Sequence, residues 1–150
     1  MLVVLGDVDA AGVLYFGAVF RWHERELSEW MASIGQPFEQ VFLKGRGIPV
    51  RSAEAEYPNP ASLGTELSVE LRCSDVQESQ FVFETTWKRA DGRVAALVRT
   101  LHIACERDSS ERFRRTSIWA ELQHAIDEHS ARHSPRHPTE TNFIEDSWEG

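Results

Sequence analysis

Residues 65–106 constrain the fold most, because they alternate apolar and polar side chains through three consecutive segments joined by short turns. In 65–76, Leu67, Val69 and Leu71 face one way while Glu66, Ser68, Glu70 and Arg72 face the other, the period-two pattern of a half-buried strand. Phe81, Phe83, Thr85 and Trp87 continue the alternation. Asp91-Gly92 then supplies a hairpin turn, in which glycine is free to take positive φ. Residues 93–106 read as the next strand, long and apolar enough to sit centrally in a sheet. Long strands with short connections predict an antiparallel meander, and this one has a single apolar face.

The residues ahead of the sheet supply what covers that face. Phe16, Val19, Phe20, His23, Leu27, Trp30, Met31 and Ile34 fall on one stripe at helical spacing, while Arg21, Glu24, Arg25, Ser28 and Glu29 fall away from it. The spacing predicts a helix over 18–34, ended by Gly35 and Pro37. Residues 38–44 predict a short helical piece closed by Gly45, 48–57 a strand, and 2–5 a short first strand. Residues 6–12 form a loop by their glycines and aspartates. Residues 116–129 predict a closing helix through Ile118, Trp119, Leu122 and Ile126. A striped helix and a one-faced sheet are both satisfied if the sheet curves around the helix. The expected architecture is therefore an α+β domain over 1–129. The polar stretch 130–150, broken by Pro135 and Pro138, is expected to be a disordered tail.

The chain has 150 residues, enough for one domain, with 41% hydrophobic and 27% charged residues. No apolar run is long enough to span a bilayer. The opening MLVVLGDVDAAG lacks a basic region and a long apolar region, so no signal peptide is read and the expected location is cytoplasmic. A net charge of −8 argues against nucleic acid as a partner. An anionic ligand must then find a local basic cluster, and there are three candidates: Lys44, Arg46 and Arg51; Lys88, Arg89 and Arg93; Arg112, Arg114 and Arg115. Cys73 and Cys105 lack CxxC spacing and are expected to be reduced and inert. His124, His129, His133 and His137 do not predict a metal site, because prolines prevent one continuous helix through them. Asp7 and Asp9 lack a third acidic ligand at EF-hand spacing, so no metal is expected there. Neither a GxSxG elbow nor a P-loop is present.

The segment GDVDAAGVLYFGAVFRW, residues 6–22, contains Asp7, Asp9, Gly12, Val13, Tyr15, Arg21 and Trp22 in a Asp-x-Asp-x-x-Gly loop, an aromatic stretch and an Arg-Trp pair on the helix. It resembles the active-site segment of the 4-hydroxybenzoyl-CoA thioesterase family. GIPVRSAEAEYPNPASLGTELSVELR resembles that family's second and third strands, and Asp91-Gly92 its last turn. The resemblance implies the hotdog fold, a curved antiparallel sheet wrapped around one long central helix. It implies a homodimer or homotetramer with the active site between subunits. It also implies hydrolysis of an acyl-CoA or aryl-CoA thioester without metal or organic cofactor. Asp9 matches the catalytic carboxylate, and the backbone N–H of Phe16 matches the group that polarises the thioester carbonyl. Ser79 falls where the family often has a small polar residue near the pantetheine. Two positions depart from relatives: Phe16 stands where some bacterial members have histidine, and Ala18 where many have asparagine.

The residues agree with that chemistry. A carboxylate can attack a carbonyl or activate water. Asp9 sits in a glycine-bearing loop just ahead of a helix, whose first N–H groups lack intrahelical partners. A thioester oxygen at the N–H of Phe16 or Gly17 would be stabilised there as charge develops. Asp9 also has a plainer reading as an Asx-turn residue; Asp7 is a substrate-contact candidate whose plainer reading is an orderer of the loop. Gly12 is a substrate-binding candidate through its backbone, supplying a conformation or a close approach that a Cβ would block. Tyr15 and His23 are substrate-contact candidates whose alternative is core packing. Arg89 is a substrate-binding candidate, and the sequence does not choose which of the three basic clusters holds the CoA phosphates. The rival to an enzyme is a non-catalytic hotdog protein that binds acyl-CoA or acyl-carrier protein. A hotdog dehydratase would call for a histidine and an acid in a different motif.

Overall fold

The computed structural model describes residues 1–133, and of 131–133 the backbone alone. The His133 side chain, His137 and most of the expected tail lie outside the described residues. In chain order the elements are α1 (Ala18–Ser33), α2 (Phe38–Leu43), β1 (Arg46–Gly47), β2 (Val50–Glu56), β3 (Leu67–Gln77), β4 (Gln80–Arg89), β5 (Val94–Ile103), β6 (Cys105–Arg107), β7 (Phe113–Arg115) and α3 (Ala120–His133). The main sheet is antiparallel in the order β2-β5-β4-β3, with β5 inside it as its apolar length predicts. A second small sheet runs β1-β6-β7.

The inward face follows from the alternation. Phe81, Phe83, Thr85 and Trp87 of β4 are all buried, opposite His102, Thr100, Val98 and Ala96 of β5. Ala96 leaves room for the Trp87 ring beside it. Helix α1 packs across β4 and β5 and buries Val19, Trp22, His23, Leu27, Trp30 and Met31. The core divides along this helix. Its N-terminal end meets Val3, Leu67, Trp87 and Val98. Its C-terminal end meets Phe81, Phe83 and Val41, with Leu122 and Ile126 of α3 beyond. The sheet therefore wraps the helix, and the fold is the hotdog arrangement.

Several expectations need correction. Residues 2–5 form no strand. Val3 donates to Thr65 and accepts from Gly64, Leu2 bridges Glu66, and a 3-10 turn follows at Leu5–Asp7. The ladder runs out because its partner leaves at Gly64, whose φ is +82°. The strand expected over 93–106 breaks at Ala104. There the backbone N–H turns to Ser79 O and the carbonyl accepts from Thr116 N, carrying the chain into the second sheet. Strand β7 is not visible in the alternation. Its hairpin is organised by the Asp108 carboxylate, which accepts from the backbone of Ser110 and Arg112. Helix α3 starts at Ala120 rather than 116: the segment before it is not helical and is tied to the ends of β5 and β3 through Thr116 N–Ala104 O and Ile118 N–Glu78 O. It continues to His133, past the expected end at His129. His124 pairs there with Glu128, and His129 Nε2 meets Leu71 O. Phe16 does not join the helix stripe; it precedes α1 and is 64% exposed. Trp22 takes an inward place instead, because Asp7 meets its indole N–H. Among the described residues no helix is long and apolar enough to cross a membrane.

Candidate active site

The motif loop doubles back on itself. Val8 bridges Leu14, Asp9 N donates to Val13 O at 2.9 Å, and Gly12 N donates to Asp9 O at 3.0 Å. Gly12 has φ +75°, which L side chains rarely adopt. Asp9 Oδ1 accepts from Ala11 N at 2.8 Å and, more weakly, from Val13 N at 3.4 Å. These bonds fix the carboxylate on the turn. Oδ2 has no hydrogen-bond partner among the described residues, and the side chain is exposed. Asp7 has the opposite character. It is buried, with Oδ1 accepting from Trp22 Nε1 at 3.1 Å and Oδ2 from Val4 N at 3.1 Å. Arg21 lies 3.8 Å from Oδ1. Asp7 thus ties the loop to the first turns of α1.

The loop delivers the chain directly to the helix start. Tyr15 N donates to Asp7 O at 2.8 Å and Ala18 N to Tyr15 O at 2.9 Å. The N–H groups of Phe16 and Gly17, between them, have no partner among the described residues. These are the orphan donors of a helix N-terminus. Phe16 O accepts from Tyr57 Oη at 2.6 Å, so the end of β2 is tied to the same point. The Tyr15 ring folds over Gly17: a Cβ there would lie 2.6 Å from Tyr15 Cε1. Leu5, Leu63, Tyr15 and Phe16 are exposed around this junction.

The other candidates separate by distance along β4. Arg89 stands at the motif end. It donates to Pro60 O at 3.0 Å, and the next residue, Ala61, accepts from Leu14 N. Its charge is already matched by Asp91 at 3.4 Å. In the same cluster Lys88 pairs with Glu70, and Arg93 reaches Asp91 at 3.9 Å. Ser79 stands at the opposite end of this ten-residue strand, about 30 Å away at the rise of an extended chain. It accepts from Arg115 Nε at 2.5 Å. One chain therefore brings Arg89, but neither Ser79 nor the Arg112–Arg115 cluster, to the neighbourhood of Asp9. Cys73 is buried, which pushes its thiol up to about 12, and Cys105 is raised by burial. No group of three or more His, Cys, Asp or Glu side chains converges among the described residues.

His23 lies midway along α1 in a buried polar chain. Its Nδ1 is 2.8 Å from Thr85 Oγ1 and its Nε2 is 2.7 Å from Thr100 Oγ1. Thr100 Oγ1 is 2.7 Å from His102 Nε2, and His102 Nδ1 is 2.9 Å from Ile48 O. Burial, and secondly the neighbouring His102, lower the His23 pKa to about 4. Burial also lowers that of His102. His23, Thr100 and His102 line a cavity of about 520 Å³ between α1, α2 and the β2 side of the sheet. His23 is a candidate from its sequence alone, whereas Thr85, Thr100 and His102 are not. The available signal was polar residues at inward positions of strands that otherwise bury apolar ones.

Comparison with known proteins agrees with this architecture. Residues 3–126 match the thioesterase-like superfamily. A 1,4-dihydroxy-2-naphthoyl-CoA hydrolase of Prochlorococcus marinus is 32% identical over 117 residues, covering 72% of this chain and 74% of the relative. A second from that organism is 30% identical over 95 residues, covering 58% of this chain; the chain spans only 61% of that relative's length. Among solved structures, a 1,4-dihydroxy-2-naphthoyl-CoA thioesterase from Synechocystis superimposes with TM-score 0.75 at 21% identity, covering 85% of this chain and 92% of the other. A 4-hydroxybenzoyl-CoA thioesterase bound to 4-hydroxybenzoyl-CoA gives 0.72 at 20% identity, covering 84% and 94%. At such identities the structures show the shared fold.

Proposed function

The chain belongs to the thioesterase-like superfamily, and on that premise we propose that it hydrolyses an acyl-CoA or aryl-CoA thioester to the carboxylic acid and free CoA, with Asp9 as the catalytic carboxylate. The observation that carries the proposal is one loop-to-helix junction that presents an accessible carboxylate oxygen and two unspent backbone donors. The thioester oxygen sits at the N–H of Phe16 or Gly17, where α1 adds partial positive charge. One such donor is typically worth about 2.7–4 kcal/mol of barrier. Asp9 either adds to the carbonyl carbon, expelling CoA thiolate and leaving an anhydride for water to cleave, or takes a proton from the water that adds. Neither route calls for a metal or an organic cofactor.

The working unit is a homodimer or homotetramer. The exposed Leu5, Leu63, Tyr15 and Phe16 around Asp9 support this, as does strand β2, which among the described residues is hydrogen-bonded on one side only and is exposed along nearly its whole length. A second copy would enclose the carboxylate and exclude water from the reacting centre. We place the protein in the cytoplasm, with neither nucleic acid nor membrane as partner. The test is a panel of acyl-CoA and aryl-CoA substrates with a thiol reagent, run on protein whose assembly is measured by light scattering. CoA release from at least one member by an oligomer is the expected result. A second reading has its own support: Asp9 Oδ1 is engaged in its Asx turn. On that reading Asp9 only shapes the loop, and the protein binds acyl-CoA or acyl-carrier protein without turnover. Tight binding with no CoA release across the panel is its signature.

A further inference from the structure

We propose that the cavity between α1, α2 and β2 holds the acyl or aryl group of the thioester, and that Thr100 is a specificity-determining residue favouring a group that carries its own hydroxyl. This rests on the thioesterase reading and adds the place and chemistry of the acyl subsite.

Phe20 walls the cavity near the helix start, and His23, Thr100 and Ala53, the cross-strand partner of Thr100, line it further in. His23 stands about 7.5 Å along the axis of α1 from Ala18, and Phe16 lies two residues beyond that helix start. That is the reach of a small aryl group or a medium acyl chain whose carbonyl stays at the Phe16 N–H. A volume of about 520 Å³ is that of a small-molecule pocket, and Phe20, Leu27, Phe38, Phe42 and Val50 give it apolar walls.

The polar floor has a direction. Ile48 O can only accept, so His102 Nδ1 carries the proton and Nε2 of the neutral ring accepts. Thr100 therefore donates its hydroxyl proton to His102 Nε2 rather than to the more distant Phe83 O at 3.4 Å. His23 Nε2 must then donate to Thr100, and Thr85 donates to His23 Nδ1. Every donor of the chain is spent. What remains on the cavity side is a lone pair on Thr100 Oγ1, an acceptor only. A phenol or alcohol O–H of the acyl group can fill it. A carboxylate or ketone at that depth meets no donor, and a carboxylate must also pass the exposed Glu24 at the rim.

Non-hydrolysable phenacyl-CoA thioethers test this by calorimetry, with 4-hydroxyphenacyl-, unsubstituted phenacyl- and 4-carboxyphenacyl-CoA as probes. Wild type is expected to bind the hydroxyl probe about tenfold tighter than the unsubstituted one, the worth of one hydrogen bond, and the carboxyl probe most weakly. Thr100→Val should abolish the hydroxyl preference, and Thr100→Ser, which keeps the oxygen, should retain it. Ser28→Leu, which narrows the cavity from α1 without touching the polar chain, should weaken all three probes relative to CoA alone. Equal affinity of wild type for the hydroxyl and unsubstituted probes overturns the proposal. So does a preference that survives in folded Thr100→Val, or unchanged binding in Ser28→Leu. Should Thr100→Val not fold, the wild-type ratio and the other two variants still decide. The readout is independent of turnover. A hydroxyl preference without hydrolysis defeats the enzymatic reading alone, and hydrolysis without the preference defeats this one alone.

Discussion

Replacing Asp7 should cost stability in graded steps, and the structure sets the sizes. Asp7→Ala removes the acceptor for Trp22 Nε1, on a side chain only 4% exposed, and for Val4 N, on a residue 49% exposed. A buried donor left without a partner costs about 1–3 kcal/mol. Val4 can turn to water, so its loss is smaller. Arg21 is 58% exposed and 3.8 Å from the carboxylate, so that ion pair contributes about 0–1 kcal/mol. The expected total is about 2–4 kcal/mol. Asp7→Asn can keep its oxygen toward Trp22, but its amide then faces the Val4 N–H, donor against donor; the expected cost is about 1 kcal/mol. For a chain of this size these translate to falls in Tm of about 6–12 °C and about 3 °C. Differential scanning calorimetry and urea unfolding read them directly. If Asp7→Ala melts at the wild-type temperature, Asp7 does not anchor the loop, and the substrate-contact reading of this residue gains. If the Asn variant loses as much as the Ala variant, the assignment of one bond to each oxygen is wrong.

Two further outcomes are expected. Native His23 stays neutral down to about pH 4 while the unfolded residue protonates near 6.5. The unfolded state therefore binds more protons in that window, so stability is complete above about pH 6.5 and declines toward pH 4, by about 3 kcal/mol for this group. Urea midpoints between pH 7.5 and 5 check it, and the slope should flatten in His23→Gln. Gly17→Ala should keep the wild-type Tm, since φ is −74° there, but must displace the Tyr15 ring, which a Cβ would meet at 2.6 Å. A fall of about tenfold in kcat/KM is expected, and an unchanged value would remove the Tyr15–Gly17 contact from any part in substrate placement.

Much of the fold is legible in the sequence because period-two and helical repeats report directly which face is buried. Trp87, Phe83 and Leu27 fall where their spacing says. The errors cluster where tertiary contacts override local pattern. Residues 2–5 are strand-like in composition, yet Gly64 withdraws their partner. Thr116 and Ile118 suit a helix, yet backbone bonds to Ala104 and Glu78 tie their segment to the sheet. At the site, Asp9, Gly12 and the helix start were visible because one contiguous segment builds them. Asp7 could not be distinguished from Asp9 by spacing, since its role is set by an indole N–H fifteen residues on. The chain through Thr85, Thr100 and His102 was invisible because three elements build it, and sequence order does not say which polar residues meet.

Asp9 performs chemistry rather than merely shaping a turn if the turnover of Asp9→Asn, the most direct test, collapses. The amide oxygen can still accept from Ala11 N, so loop and melting temperature should be retained while kcat falls by about 10²–10⁴-fold with the Kd of a non-hydrolysable thioether unchanged. An Asp9→Asn protein that hydrolyses the best substrate at the wild-type rate would contradict the account.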